Sequence, residues 1–131
     1  MSRPNGIELS PDESTLYVAN SDPDQPIWMS FPVKDTGLIG PGKVFYDSAK
    51  WVKEKRKGLP DGMKVDVDGN LWATGPGGVW VFSPSGEVLG NIDTGANTAN
   101  VCFGGADGSR LFIAANHDIC YVRTKTKGKG F

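Results

Sequence analysis

The chain has 131 residues, with 14 basic and 15 acidic side chains, a formal net charge of −1, 18 glycines and 9 prolines. That length suits one domain, and the balanced charge excludes an electrostatic case for nucleic acid or an anionic membrane as partner. No apolar run nears the roughly 18 residues a membrane-crossing helix needs, and with no basic-then-apolar leader the expected location of the chain as given is cytoplasmic.

Many glycines and prolines together with a sufficient apolar fraction predict an all-β chain rich in turns. Residues 1–4 lead straight into a strand over 6–9. A turn over 10–14 follows, then a strand over 15–20 and a polar loop over 21–25. Residues 26–32 alternate, with Ile27, Met29 and Phe31 on one face and Trp28 and Ser30 on the other, which is the period of a strand. Pro32 limits its extent, and 42–46 forms a fourth strand. The segment 48–58 carries five basic residues. It reads as one helical turn or a solvated connector with Trp51 and Val52 beneath it, not as a nucleic-acid site.

A second set of strands follows over 62–67, 70–74, 78–82 and 88–93. Asp68-Gly69 between apolar runs is a hairpin signal, with both residues expected at positive φ. The loop over 75–78 is glycine-rich, but no helix pattern and no Gly-Lys-Ser/Thr follow it, so it is not a phosphate loop. The third set covers 101–104, 110–114 and 119–123, with its fourth strand missing or weak. Residues 124–131 read as a basic tail with little to bury. Cys102 and Cys120 are expected to be free and mostly buried thiols.

One phrase recurs in the three sets: a polar residue, a short apolar strand, an Asp-containing turn, and a strand of the form Leu-aromatic-aliphatic-Ala. It spans Pro4-Asn5-Gly6 to Ala19, Pro60-Asp61-Gly62 to Thr74, and Asn100-Val101 to Ala114. Asn5, Asp61 and Asn100 fall on one repeat position, at intervals of about 55 and about 40 residues, and a period near 40 with several strands per unit marks propeller blades. The insertion 48–58 explains the longer interval. The fold class is therefore all-β, a β-propeller of the six-bladed type. The chain, one partial domain over 1–131, supplies about three four-stranded blades at 5–47, 61–93 and 99–131. Such an arc leaves strand edges and an apolar flank open. It belongs to a longer propeller, or two copies close a six-blade ring, for which a homodimer is the simplest solution.

In a propeller the first strand of each blade lines the central tunnel, so a polar residue repeated at its entry makes a converging set of oxygens. Carboxylate and amide oxygens suit calcium or magnesium better than a soft metal. Asp61 stands between Pro60, whose φ is fixed, and Gly62, which lets the chain turn. It is the candidate metal ligand or proton-transfer group. The plain alternative for Asn5, Asp61 and Asn100 is a turn residue bonding nearby amides. His117, the sole histidine, sits in a turn over 116–118, and Ser10 lacks the glycine-flanked elbow of a serine nucleophile. Asp12, Asp66, Asp68 and Asp107 read as turn residues. Trp28, Trp72, Trp80, Phe103 and Phe112 read as packing between sheets.

The motifs Arg3-Pro4-Asn5-Gly6 to Asp12, Leu16-Tyr17-Val18-Ala19-Asn20-Ser21, Gly58-Leu59-Pro60-Asp61-Gly62-Met63-Lys64-Val65-Asp66, Gly69-Asn70-Leu71-Trp72-Ala73 and Asn100-Val101-Cys102-Phe103-Gly104-Gly105 resemble the C-terminal half of the gluconolactonase/regucalcin (senescence-marker-protein) family. That resemblance implies a six-bladed propeller and a metal-dependent lactonase-type hydrolase opening sugar-acid lactones. It also implies a divalent metal, Ca2+ ahead of Zn2+ or Mg2+, at the tunnel mouth. It casts Asn5 and Asp61 as metal ligands, Asp61 as the general base, and Asn100 as lining the substrate pocket. The expected partners are a small lactone and a second copy of the chain. The family's ligating glutamate and a further asparagine belong to its N-terminal half and have no counterpart here. Two other readings stay open. One is an inactive truncated half-propeller that dimerises and at most binds metal or a sugar acid weakly. The other is an interaction module with no small-molecule site.

Overall fold

The computed structural model describes all residues, 1–131. Eleven strands and one short helix follow in chain order. Strands β1 (Pro4–Leu9), β2 (Thr15–Asn20), β3 (Ile27–Pro32) and β4 (Lys43–Asp47) form a first antiparallel sheet. After helix α1 (Ala49–Lys53), strands β5 (Met63–Val65), β6 (Leu71–Gly75), β7 (Gly78–Phe82) and β8 (Val88–Ile92) form a second. Strands β9 (Thr98–Gly104), β10 (Arg110–Ala115) and β11 (Asp118–Arg123) make a three-stranded third. In each sheet every strand pairs with the next in sequence, and the first strands β1, β5 and β9 neighbour one another.

Two apolar seams hold the three sheets face to face. The first is aromatic: Tyr17 and Trp28 of the first sheet and Trp80 and Phe82 of the second are buried there, with Phe45 and Tyr46 against them. Helix α1 adds Trp51, which stacks on Trp80 with ring centroids 3.6 Å apart and planes 6° from parallel. The second seam is aliphatic, with Val79, Val101, Phe103, Leu111 and Ile113 buried and Trp72 packed alongside. Burial of such side chains contributes roughly 1.5–3 kcal/mol each, so these seams, more than any one turn, keep the sheets in place.

Several expectations need correction. Both cysteines are free, but both are exposed. Cys102 shares the uncovered outer face of the third sheet with Phe112 and Tyr121, and Cys120 lies on edge strand β11. Thiols are buried only where another layer covers them. Phe112 is 36% exposed on that face and packs in neither seam. In the Asp68-Gly69 turn only Gly69 has positive φ, at 84°. Strand β5 stops at Val65, and Asp66 governs the turn. The basic tail is not loose: Val67 donates to the Lys127 carbonyl at 3.0 Å, and Lys129 donates to the Val65 carbonyl at 3.0 Å. Gly128 is buried between them, where a Cβ would stand 2.4 Å from that of Phe103. The Lys129 ammonium reaches the carbonyl oxygens of Leu9 and Ser10. The tail thus joins all three sheets at the ends of β1 and β5 that lie away from Asn5 and Asp61.

Asp66 is 1% exposed, and its carboxylate is fully used. One oxygen accepts the N–H groups of Asp68 at 3.0 Å and Asn70 at 2.8 Å, and the other accepts the Asn70 amide and the Trp72 indole N–H, each at 3.0 Å. Removing it leaves buried donors unpaired. Asp66→Ala is expected to lower stability by about 3 kcal/mol, read as a lower midpoint in urea with the slope unchanged.

Candidate functional site

The site is built where the first strands begin. In β1 the pairing with β2 shifts between Pro4 and Ile7, placing one extra residue at Asn5-Gly6. In β9 the pairing with β10 shifts in the same way at Ala99-Asn100, between the partners of Ala114 and Ala115. Bulges of this kind re-aim side chains and commonly border functional sites. Between these two strands Asp61 and Gly62 lead into β5. The Asp61 N–H bonds the Thr74 carbonyl at 3.0 Å, and the Gly62 N–H bonds the Ala99 carbonyl at 2.9 Å. Thr74 is fully buried, and its hydroxyl bridges the Gly62 and Ala99 carbonyls at 2.9 and 3.2 Å.

Asn5 and Asp61 line one cavity of about 390 Å³, together with Ser21, the loop residues Gly58 and Leu59, and Asn97, Thr98 and Ala99 of the third sheet. Asn100, on the next position of β9, lies against Gly62, whose Cβ would meet the Asn100 amide oxygen at 2.1 Å. That oxygen accepts the N–H of Val101 at 2.9 Å. The repeat positions Asn5 and Asp61 therefore come together, while Asn97, Thr98 and Ala99 at the start of β9 line the cavity from the third sheet. Ser21 and Asn97 carry no motif of their own. For Ser21 the available signal is its place directly after the Tyr-Val-Ala-Asn strand, in one of the matched motifs. His117 is exposed in its turn and does not line this cavity.

The electrostatics single out Asp61. Burial pushes its carboxyl above the ordinary carboxylate range, with the Gly62 N–H opposing in part. It makes no ion pair: the three in the chain join Arg56 to Glu54 and both Lys64 and Lys129 to Glu8. A larger recess of about 460 Å³ lies further along the same two loops, lined by Lys55, Arg56, Lys57 and Asp93. It lacks the amide–carboxylate pair, so chemistry favours the smaller cavity over the larger.

The donor set can be tested against a divalent cation. The Asn5 amide nitrogen donates to Ser21 Oγ at 3.1 Å, which leaves the amide oxygen free. With the Asp61 carboxylate this makes two hard oxygen donors on one cavity, the right chemistry for Ca2+ or Mg2+. The number is short of a calcium shell, which takes about six to eight oxygens. No group of three His, Cys, Asp or Glu side chains in the chain is placed to hold a metal ion by itself. The residues fit one side of a cation site, the remainder falling to water, substrate or other protein groups.

The same architecture is found in known proteins. A gluconolactonase of Zymomonas mobilis subsp. mobilis is 45% identical over 98% of this chain, which spans 36% of that relative's length. The solved gluconolactonase of Xanthomonas campestris superposes with a TM-score of 0.79 at 34% identity, over 92% of this chain and 38% of that one. A calcium-binding regucalcin from Agrobacterium tumefaciens gives a TM-score of 0.76 at 26% identity, over 100% of this chain and 48% of that one. The chain thus spans less than half the length of each. Residues 1–117 match the SMP-30/gluconolactonase/LRE-like region, and the chain belongs to that family.

Proposed function

We propose that this chain carries the metal- and base-bearing part of a lactonase that opens sugar-acid lactones by hydrolysis. The observation that carries the reading is the sharing of one cavity by the Asn5 amide and the unpaired, partly desolvated carboxylate of Asp61, in a chain 45% identical to a gluconolactonase. Asn5 and Asp61 would hold a divalent metal, Ca2+ ahead of Zn2+ or Mg2+. A bound cation supplies polarisation of the lactone carbonyl and a lowered pKa for water. Asp61 takes a proton from the attacking water as its oxygen bonds to the carbonyl carbon. The ring C–O bond then breaks, and Asp61 returns its proton to the departing oxygen, leaving an alcohol and a carboxylic acid on one open chain. Ser21, Asn97 and Thr98 border the space available to the lactone and exclude part of its water.

The site is completed by further blades, and we assign that role to a second copy of the chain closing a six-sheet ring. Two outer faces support this. On the first sheet Ile7 and Val44, 60% and 54% exposed, share a face through Val18 and Met29. On the third sheet Ile119 and Tyr121 are 83% and 59% exposed beside Phe112. Apolar faces of this kind on adjacent sheets are what the two seams bury inside the chain. The competing reading, an inactive partial propeller that binds metal weakly, is favoured by the small donor count.

With the purified chain, turnover of a sugar-acid lactone above the buffer rate is expected to vanish with chelator. Asp61→Ala should lower it by at least about 100-fold. Turnover no faster than buffer in a folded, calcium-supplemented sample selects the inactive reading.

Sedimentation is expected to give twice the 14.0 kDa chain mass, and a 14.0 kDa species removes the ring-closing role of a second copy.

A third outcome follows from the raised Asp61 carboxyl. Its ionisation disfavours the folded state, a penalty absent below the ordinary carboxylate pKa and complete above the raised one. In metal-free protein, Asp61→Asn should therefore raise Tm at pH 7, and the gain should disappear as the pH falls to about 3. Thermal scans at the two pH values check it.

A further inference from the structure

We propose that Ser21 is a positioning residue that sets which atom of the Asn5 side chain faces the cavity. Ser21 Oγ donates to the carbonyl oxygen of Pro60, an acceptor with no proton of its own. A hydroxyl has one proton, so towards any other neighbour Ser21 offers only lone pairs. Its other neighbour is the Asn5 amide, 3.1 Å away through Nδ2. The nitrogen must therefore point at Ser21 and the oxygen away from it, on the wall of the cavity that Asn5, Ser21 and Asp61 line together.

The serine is itself held firmly. Its N–H donates to the Arg3 carbonyl at 2.8 Å. The preceding Asn20 is fully buried, accepts the Arg3 N–H at 2.8 Å and donates to the Gln25 carbonyl at 2.8 Å. The bulge at Asn5-Gly6 supplies the extra residue that brings the amide across to Ser21. Through Pro60 the same hydroxyl ties the first sheet to the residue directly before Asp61. One small side chain thus orients Asn5 and couples the two candidate ligands, the task that partners behind a metal's own ligands perform.

The orientation is a property of this chain alone; its effect on cation binding rests on the site reading above. In NMR of isotope-labelled protein, the Asn5 side-chain NH2 protons should show contacts to the Ser21 β protons without any metal present. Ser21→Ala should abolish the distinct Asn5 amide environment, and Ser21→Thr, which keeps the hydroxyl, should retain it. In calcium titrations, Ser21→Ala should weaken binding about tenfold or more, with Ser21→Thr near the parent. In an Asn5→Asp background, where both terminal atoms are oxygens, Ser21→Ala should change calcium affinity by less than about twofold. Asn5 NH2 protons that contact other residues, or a Ser21→Ala loss as large in the Asn5→Asp background, overturn the proposal. A parent that shows the Asn5–Ser21 contacts but binds no calcium upholds the orientation and overturns the metal reading instead.

Discussion

The structure depends on how closely its first strands approach one another. A Cβ at Gly6 would stand 2.0 Å from the Asp61 carbonyl oxygen, and one at Gly62 would stand 2.1 Å from the Asn100 amide oxygen and 2.8 Å from the Ala99 carbonyl oxygen. Neither glycine has a positive φ. What they provide is space, where backbone passes backbone with no room for a side chain. The turning role expected of Gly62 is thus replaced by a packing role. Because each glycine directly follows a polar residue, the close approach that it permits also draws Asn5 and Asp61 to one cavity. Buried Thr74 secures the arrangement with its one hydroxyl proton, which lies 2.9 Å (Oγ1 to O) from the Gly62 carbonyl oxygen with the Ala99 carbonyl alongside at 3.2 Å.

The connector between the first two sheets serves packing and site together. Helix α1 begins where Ser48 binds the Pro26 carbonyl through its N–H and its hydroxyl, at 3.0 and 2.6 Å. It ends where Lys55 adopts a left-handed φ of 59° and the Arg56 N–H returns to the Trp51 carbonyl at 3.1 Å. Between those ends it delivers Trp51 to the aromatic seam. Gly75 leaves room there for the Trp28 ring, 2.6 Å from where its Cβ would be. The chain then passes to Lys57, whose ammonium binds the Gly95 carbonyl at 2.9 Å, and on to Pro60 and Asp61. The insertion that lengthens the first repeat interval therefore anchors the approach to Asp61 from both flanking sheets.

What could be read from residues alone was what neighbouring residues decide. Alternation and turn chemistry define β2 at Thr15–Asn20 and β7 at Gly78–Phe82 to the residue, because each is a local pattern. The bulges at Asn5-Gly6 and Ala99-Asn100 were not legible, since register belongs to a pair of strands. Nor was the return of the tail: residues 127–129 pair through backbone groups, and no side-chain pattern marks that. Cysteine burial failed because it depends on a covering layer. In the site, the repeat exposes Asn5 and Asp61, whereas Ser21 acts through a carbonyl 39 residues away, which no motif records.

Asp61 and Asp66 stand at opposite ends of one short strand and show how differently the chain can supply the same side chain with partners. Asp66 is almost wholly buried, yet its two oxygens accept four hydrogen bonds, from two backbone N–H groups, an amide and an indole. Its ionised form is satisfied by the chain, and nothing is left over for a ligand. Asp61 is less buried, but burial still raises its carboxyl, and no cation or side-chain donor answers its charge. A desolvated charge without a partner opposes folding. It is tolerable where the deficit is relieved by something that binds, and the cavity beside Asn5 is where that relief would arrive. The difference between the two aspartates therefore lies in the donors left unprovided more than in depth of burial.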